Sequence, residues 1–217
     1  MQIHYLSENN SILNHFLGQI RNVNVHNDSM RFRRNIERIG EIMAYELSKE
    51  LQYKIVEIQT PLGIKKTSEI KDQLVLCSIL RAGLPLHIGF LNYFDNAENG
   101  FVSAFRHHPN NDDYFDIVVQ YQAIADMNNK NLLLVDPMLA TGQSIVAVFN
   151  KLMESGNPKE IHIAVVIAAP EGIAYLEQHL PQNCHLWVAS LDEKLNEHSY
   201  IVPGLGDAGD LAYGKKL

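Results

Sequence analysis

Apolar residues recur along this chain in two rhythms. Between residues 28 and 51, DSMRFRRNIERIGEIMAYELSKEL, the residues Phe32, Ile36, Ile39, Met43 and Leu47 fall three or four positions apart. That is the spacing at which one side of an α-helix meets a core. Asp28 and Ser29 precede the stripe and carry oxygens suited to capping the helix start. Residues 53–59, YKIVEIQ, alternate instead. TPLG supplies a turn and IKKTSEI continues extended, so 53–70 predicts a β-hairpin arm.

From residue 74 the rhythm changes to continuous apolar runs separated by helix-like stretches. LVLCSI is a strand, followed by LRAG and a helical LPLHIGFLNYF; GFVSAF and NLLLV are further strands. EIHIAVVIAA is another, followed by PEGIAYLEQHL, a helix with proline near its start, and CHLWVAS closes the series. Runs apolar on both faces belong to a sheet covered on both sides. The predicted order, β-α-β-(loop)-β-α-β-α-β, therefore indicates an α/β fold with a mainly parallel, twisted sheet flanked by helices. Ligands of such folds bind at the C-terminal ends of the strands. The polar stretch RHHPNNDD, residues 106–113, is expected to be a loop. The tail, YIVPGLGDAGDLAYGKKL, reads as irregular, but Pro203, Gly204, Gly206, Gly209 and Gly214 demand special backbone geometry, which draws a functional reading.

Composition narrows the classes. The chain has 217 residues, 46% hydrophobic and 20% charged, enough for a sizeable core in one domain. The formal net charge of −7 argues against a nucleic-acid partner bound through a basic surface. Cys77 and Cys184 sit in apolar runs and read as reduced core thiols. MQIHYLSENN lacks the pattern of a signal peptide and no apolar run reaches the length of a membrane span, so the expectation is a cytoplasmic protein with no membrane partner.

The candidate chemistry lies in DPMLATGQS, residues 136–144, between a buried strand and a helix. A helix start offers unpaired N–H groups and a positive dipole end. Ala140, Thr141 and Gly142 would let a phosphate approach the backbone, while Thr141 and Ser144 add hydroxyls. Asp136 stands where a carboxylate accepts hydrogen bonds from sugar hydroxyls, so the loop suits a ribose phosphate. Spacing alone leaves open an ordinary turn into a capped helix. The loop matches neither the nucleotide-triphosphatase nor the dinucleotide-binding glycine motif.

VDPMLATGQS resembles the phosphoribosyl-diphosphate (PRPP) loop of type I phosphoribosyltransferases, and its PML variant looks like that of the uracil phosphoribosyltransferase family. In the same order, ILRAGL (79–84) is similar to the motif at the pyrophosphate end. AAPEGI (168–173) is similar to the next strand and helix start, and LNEHSYIVPGLGDAGD (195–210) to the uracil-binding tail. RFR (31–33) also fits, and the resemblance runs from about residue 25 to the C-terminus.

The resemblance implies the type I phosphoribosyltransferase fold over residues 1–217, with the hairpin arm at 53–70 and a base-binding hood at 191–217. It implies transfer of the phosphoribosyl group from PRPP to N1 of uracil, giving UMP and pyrophosphate, with Mg2+ bound alongside PRPP. Arg81, Arg106, Asp136 and Asp207 are the implied catalytic residues. PRPP contacts fall to Arg81, Arg106, Asp207 and the loop Asp136, Pro137, Met138, Leu139, Ala140, Thr141, Gly142, Gln143 and Ser144; uracil contacts fall to Ile201, Gly206, Asp207 and Ala208. No residue stands out as a general base. The family forms dimers or larger assemblies, for which the hairpin and the long helix are candidate interfaces, and some relatives respond to GTP as an effector.

Three positions depart from the pattern. Gln143 replaces the second glycine of a Gly-Gly-Ser ending, His107-His108-Pro109-Asn110 replaces a polar acidic run after Arg106, and Met30 stands where lysine is common. Gln143 is harmless if its φ is negative and its side chain points outward. A silent PRPP- or nucleotide-binding regulator on the same fold is the alternative. A purine-specific enzyme is disfavoured by the tail.

Overall fold

The computed structural model describes residues 1–107 and 116–216. The chain opens with β1 (Gln2–Tyr5), α1 (Ile12–Arg21) and α2 (Ser29–Ser48), followed by β2 (Tyr53–Thr60), β3 (Gly63–Ile70), β4 (Leu74–Leu80), α3 (Leu84–Leu91), β5 (Glu98–His107) and β6 (Asp116–Ala123). Then come β7 (Asn131–Val135), β8 (Met138–Leu139), α4 (Gln143–Met153), β9 (Glu160–Ala168), α5 (Pro170–His179), β10 (Cys184–Leu191), β11 (Lys194–Leu195), β12 (Ile201–Val202) and α6 (Ala208–Tyr213).

An 8-stranded sheet runs in the order β1-β10-β9-β7-β4-β5-β6, with β8 added beside β9. Every pairing is parallel except β5 with β6. Alternation within the strands sends neighbours to opposite faces. Leu76, Leu133, Val166 and Trp187 pack with α1, α2 and α3 on one face. Val75, Cys77, Leu134, Val165 and Leu186 pack with α4 and α5 on the other. Both faces are sealed, which is why these strands read as unbroken apolar runs.

The long helix begins at Asp28, whose side chain accepts from the Arg31 N–H, and buries Phe32, Ile36, Ile39, Met43 and Leu47 as its spacing predicts. The hairpin is present too: β2 pairs antiparallel with β3 as a separate two-stranded sheet. Cys77 and Cys184 are free and buried, and burial pushes the Cys77 thiol up to about 12. Among the described residues no helix is long and apolar enough to cross a membrane.

Several expectations need correction. The tail is not irregular: β12 pairs with β11, and α6 follows. The helix after LRAG stops at Leu91, short of Tyr93 and Phe94. Arg106 and His107 extend β5 rather than opening a loop, with Arg106 opposite Ile117. The side chains of Arg106 and His107, and all of His108-Pro109-Asn110, lie outside the described residues. β1, α1 and β6 were not anticipated.

The sheet order places the site. From β4 the chain moves outward to β5 and β6, then returns to the other side of β4 as β7. The direction of winding reverses between β4 and β7, and a crevice opens there beyond the C-terminal strand ends. The loops that follow these two strands carry Arg81 and Asp136.

Candidate active site

A cavity of about 800 Å3 occupies that crevice. Its walls come from the end of β4 and the turn beyond (Ile79–Ala82), from Ser103, Ala104 and Phe105 of β5, from the loop after β7, and from the C-terminal tail. The size suits a small charged metabolite.

The loop after β7 is stiffer than a plain connection. Met138 and Leu139 form β8, pairing with Ile167 and Ala168. The Pro137 carbonyl accepts from the Val166 and Ile167 N–H groups at 3.1 and 3.0 Å, and the Leu139 carbonyl from Ala169 at 2.9 Å. Gly142 then turns the chain with φ +81° and serves as the N-cap of α4. A Cβ there would meet the Gly172 carbonyl and a Tyr175 ring carbon, each at 3.0 Å. The reverse contact is tighter: a Cβ on Gly172 would lie 2.2 Å from the Ala140 carbonyl. Two glycines thus let α5 press against the back of the loop.

The question left open by spacing turns on the start of α4. No side chain caps it, because its N-cap is Gly142. The first N–H groups of an 11-residue helix are left with no intrahelical partner, beside a cleft lined by Thr141, Gly142 and Ser144. That arrangement can receive an anion. Gln143 is the first residue of α4, is absent from the positive-φ residues and is not part of the cleft wall. The harmless geometry therefore holds. Pro137 likewise lies behind the wall, buried, with its carbonyl committed to β9.

Asp136 is partly buried where β7 ends and lines the cleft. Burial pushes its carboxyl up to about 7, partly opposed by a hydrogen bond from the Met138 backbone. Facing it, Arg81 follows the Leu80–Arg81 cis peptide. Its Nη2 donates to Asp210 Oδ1 and to the Gly214 carbonyl, both at 3.2 Å, and its buried Nε has no partner among the described residues.

The tail closes the third side. Asp207 caps α6, accepting the Asp210 N–H at 2.9 Å through Oδ1, and together with Ala208 and Gly209 lines the cleft. Of the other expected base contacts, Ile201 is buried in the core at 7% exposure, and Gly206, with φ +94°, is exposed outside the cleft wall.

The tail is held by arginines far away in sequence. Arg21 pairs with Asp192 through both terminal nitrogens and donates to the Gly204 carbonyl at 3.0 Å, while Asp192 Oδ2 accepts the Gly204 N–H at 2.9 Å. Arg33, from the RFR segment, donates to the Ala212 carbonyl at 2.6 Å and lies 5.8 Å from the Tyr213 ring centre. Sequence reasoning missed Arg21, the β5 wall, and Lys215 and Lys216, which also line the cleft.

Among the described residues no group of three or more His, Cys, Asp or Glu side chains could hold a metal unaided. A cation here must bring other ligands with it.

Comparison with known proteins agrees with this geometry. The uracil phosphoribosyltransferase family model matches residues 7–215. The chain is 50% identical to the uracil phosphoribosyltransferase of Porphyromonas gingivalis over 217 residues, the full length of both. It is 36% identical to that of Thermococcus gammatolerans, over 98% of this chain and 94% of the relative. The solved AQ2163 protein of Aquifex aeolicus superposes with a TM-score of 0.87 at 28% identity, covering 98% of each chain. A purine phosphoribosyltransferase of Pyrococcus horikoshii shares the fold at 16% identity and a TM-score of 0.50, over 73% of this chain and 84% of its own. The chain belongs to the uracil phosphoribosyltransferase family.

Proposed function

We propose that this protein transfers the 5-phosphoribosyl group of PRPP to N1 of uracil, releasing UMP and pyrophosphate. One observation carries the reading: the uncapped start of α4, Arg81 and the Asp207–Gly209 turn border a single cleft. Family membership and relatives bearing that activity in their names support it.

In this reading the 5′-phosphate rests on the N–H groups and hydroxyls of Thr141, Gly142 and Ser144, and Asp136 accepts from the ribose hydroxyls. Arg81 clamps the diphosphate through the donors it does not spend on the tail, with Arg106 as its proposed companion. Positive charge develops on the ribose ring as the leaving group gains negative charge. Catalysis therefore consists mainly of holding both ends in line and stabilising the departing pyrophosphate.

Uracil presents acceptor, donor and acceptor along O2, N3–H and O4, and backbone groups of the hood, residues 191–217, read that edge. Ala208 and Asp207 support this from the cleft wall; Ile201 and Gly206 contribute through their backbone if the hood folds over the base. Cytosine would set like groups against each other. Mg2+ fits the site as a companion of PRPP. A hard cation needs one or two carboxylates beside phosphate oxygens, and Asp207 offers one with Oδ2 free of hydrogen bonds among the described residues. When bound, it neutralises charge on the diphosphate.

The regulatory alternative finds no support among the relatives, and Gln143, lying outside the cleft wall, no longer argues for it. The hairpin presents Ile55, Leu62 and Ile64 at 69%, 100% and 65% exposure, which supports a homo-oligomer built through that arm; light scattering on the purified chain tests it. The activity itself is tested by following UMP formation from PRPP, Mg2+ and uracil, with cytosine and hypoxanthine in parallel and GTP added in a second series. UMP from uracil alone establishes the reaction; PRPP binding without product from any base refutes it.

A further inference from the structure

The tail does more than deliver Asp207 and Ala208. Beyond α6 the chain passes through Gly214 and brings Lys215 and Lys216 onto the wall of the same cleft. Exposed lysines outside helix and strand are ordinarily solvated and unfixed. This stretch instead has successive anchors: the Ala212 carbonyl on Arg33 at 2.6 Å, the Gly214 N–H on the Asp210 carbonyl at 2.8 Å, and the Gly214 carbonyl on Arg81 at 3.2 Å. The last of these residues is the arginine at the diphosphate end of the site.

Charge gives the arrangement its purpose. PRPP brings a phosphate and a diphosphate into a cleft already walled by Asp136 and Asp207, on a chain of net charge −7. Among the described residues, the positive side chains of the wall are Arg81, Lys215 and Lys216. Arg81 alone is a weak counterweight, because one of its terminal nitrogens already faces Asp210. A guanidinium carries five donors on separate edges. The edge that grips Gly214 and Asp210 is Nη2, while Nη1 makes no hydrogen bond among the described residues. The same arginine can therefore hold the tail and face a ligand at once.

We propose that Lys215 and Lys216 form a second cationic clamp on the diphosphate, positioned by Arg81 through the Gly214 carbonyl. This rests on the phosphoribosyl-transfer reading above. The clamp binds PRPP before transfer and pyrophosphate after it, so its loss shows on both and spares the base.

The test compares the unaltered chain with a K215A/K216A double variant and a K215R/K216R double variant. Both lysines are exposed, so matched melting temperatures should confirm that the fold is kept. Titration calorimetry with magnesium pyrophosphate reads the clamp without turnover. The double alanine variant should bind pyrophosphate about tenfold more weakly, raise KM for PRPP by a similar factor and leave KM for uracil unchanged, and the arginine pair should restore both. Unchanged pyrophosphate affinity in the alanine variant overturns the clamp. So does a rise in KM for uracil that matches the rise for PRPP, which would mark the tail as merely structural. An unaltered protein that binds pyrophosphate but makes no UMP counts against the reaction and not against the clamp; one that binds no pyrophosphate overturns the clamp directly.

Discussion

Replacing Asp136 with asparagine should make the ligand-free protein more stable and nearly inactive. The carboxyl lies where β7 ends, and burial carries it from an ordinary 3.8 to about 7. A folded-state value above the unfolded one means that the folded chain prefers the protonated acid. The penalty for ionising it is absent below about pH 4, grows as pH rises towards 7, and is flat above that. About three pH units at about 1.4 kcal/mol each set a ceiling near 4 kcal/mol. The residue is only partly buried and borders an open cleft, so water screening reduces this to about 2 kcal/mol. For a chain of 217 residues that is a rise of about 4–8 °C in Tm. Asparagine keeps the shape and cannot ionise. Scanning calorimetry of both proteins at pH 4, 5, 6 and 8 should show a gap that is small at pH 4, about two-thirds of its plateau at pH 5 and complete by pH 8. Other titrating groups cancel in the difference. A gap independent of pH, or a variant less stable at pH 8, would refute the argument. Uracil turnover should fall by about a hundredfold, since a neutral amide is a poorer acceptor for ribose hydroxyls.

Acid should act on the opposite end of the sheet. His162 is buried, its Nδ1 accepts the Trp187 indole N–H at 3.2 Å, and burial, then the neighbouring His185 and His4, lowers it to about 3. Because its folded value lies below the unfolded 6.5, stability is intact above pH 6.5 and about 3 kcal/mol should be lost by pH 4.5; H162Q should flatten that limb in urea titrations. G172A would set a Cβ 2.2 Å from the Ala140 carbonyl, so the loop must shift, raising KM for PRPP about tenfold with less effect on KM for uracil. R21A should strand the buried Asp192 carboxylate, costing about 3 kcal/mol in chemical denaturation and raising KM for uracil more than KM for PRPP.

Much of the fold was legible because the sheet is sealed on both sides. β4, β7, β9 and β10 then carry apolar residues at nearly every position, a signal that needs no partner to be seen. The long helix and the hairpin were legible from their periods. β1 was not: four residues, QIHY, become a strand through pairing of Ile3 with Leu186, a contact 183 positions away. α1 and β6 did leave traces. Ser11 forms a capping box with Asn14 ahead of Leu13, Leu17 and Ile20, and DIVVQYQA is rich in β-branched residues. In α6 the buried residues are Ala208, Gly209 and Ala212, too small to form a visible stripe. Within the cleft, the β7 loop and Arg81 followed from local motifs. Arg21 and Arg33 did not, since each works on a carbonyl about 180 positions further on, and no local pattern marks an arginine for that task.

Those long-range clasps also set an order of events during synthesis. The sheet from β1 to β10 is complete once Leu191 has been made, while Gly204, Ala212 and Gly214, which Arg21, Arg33 and Arg81 grip, are made after it. A nascent chain can therefore pair its sheet before the cleft has its third side, and a chain lacking residues 201–214 would lose that side together with the core side chains of Ile201, Leu205, Ala208 and Ala212. In this protein the segment after β10 turns a paired sheet into a walled cleft.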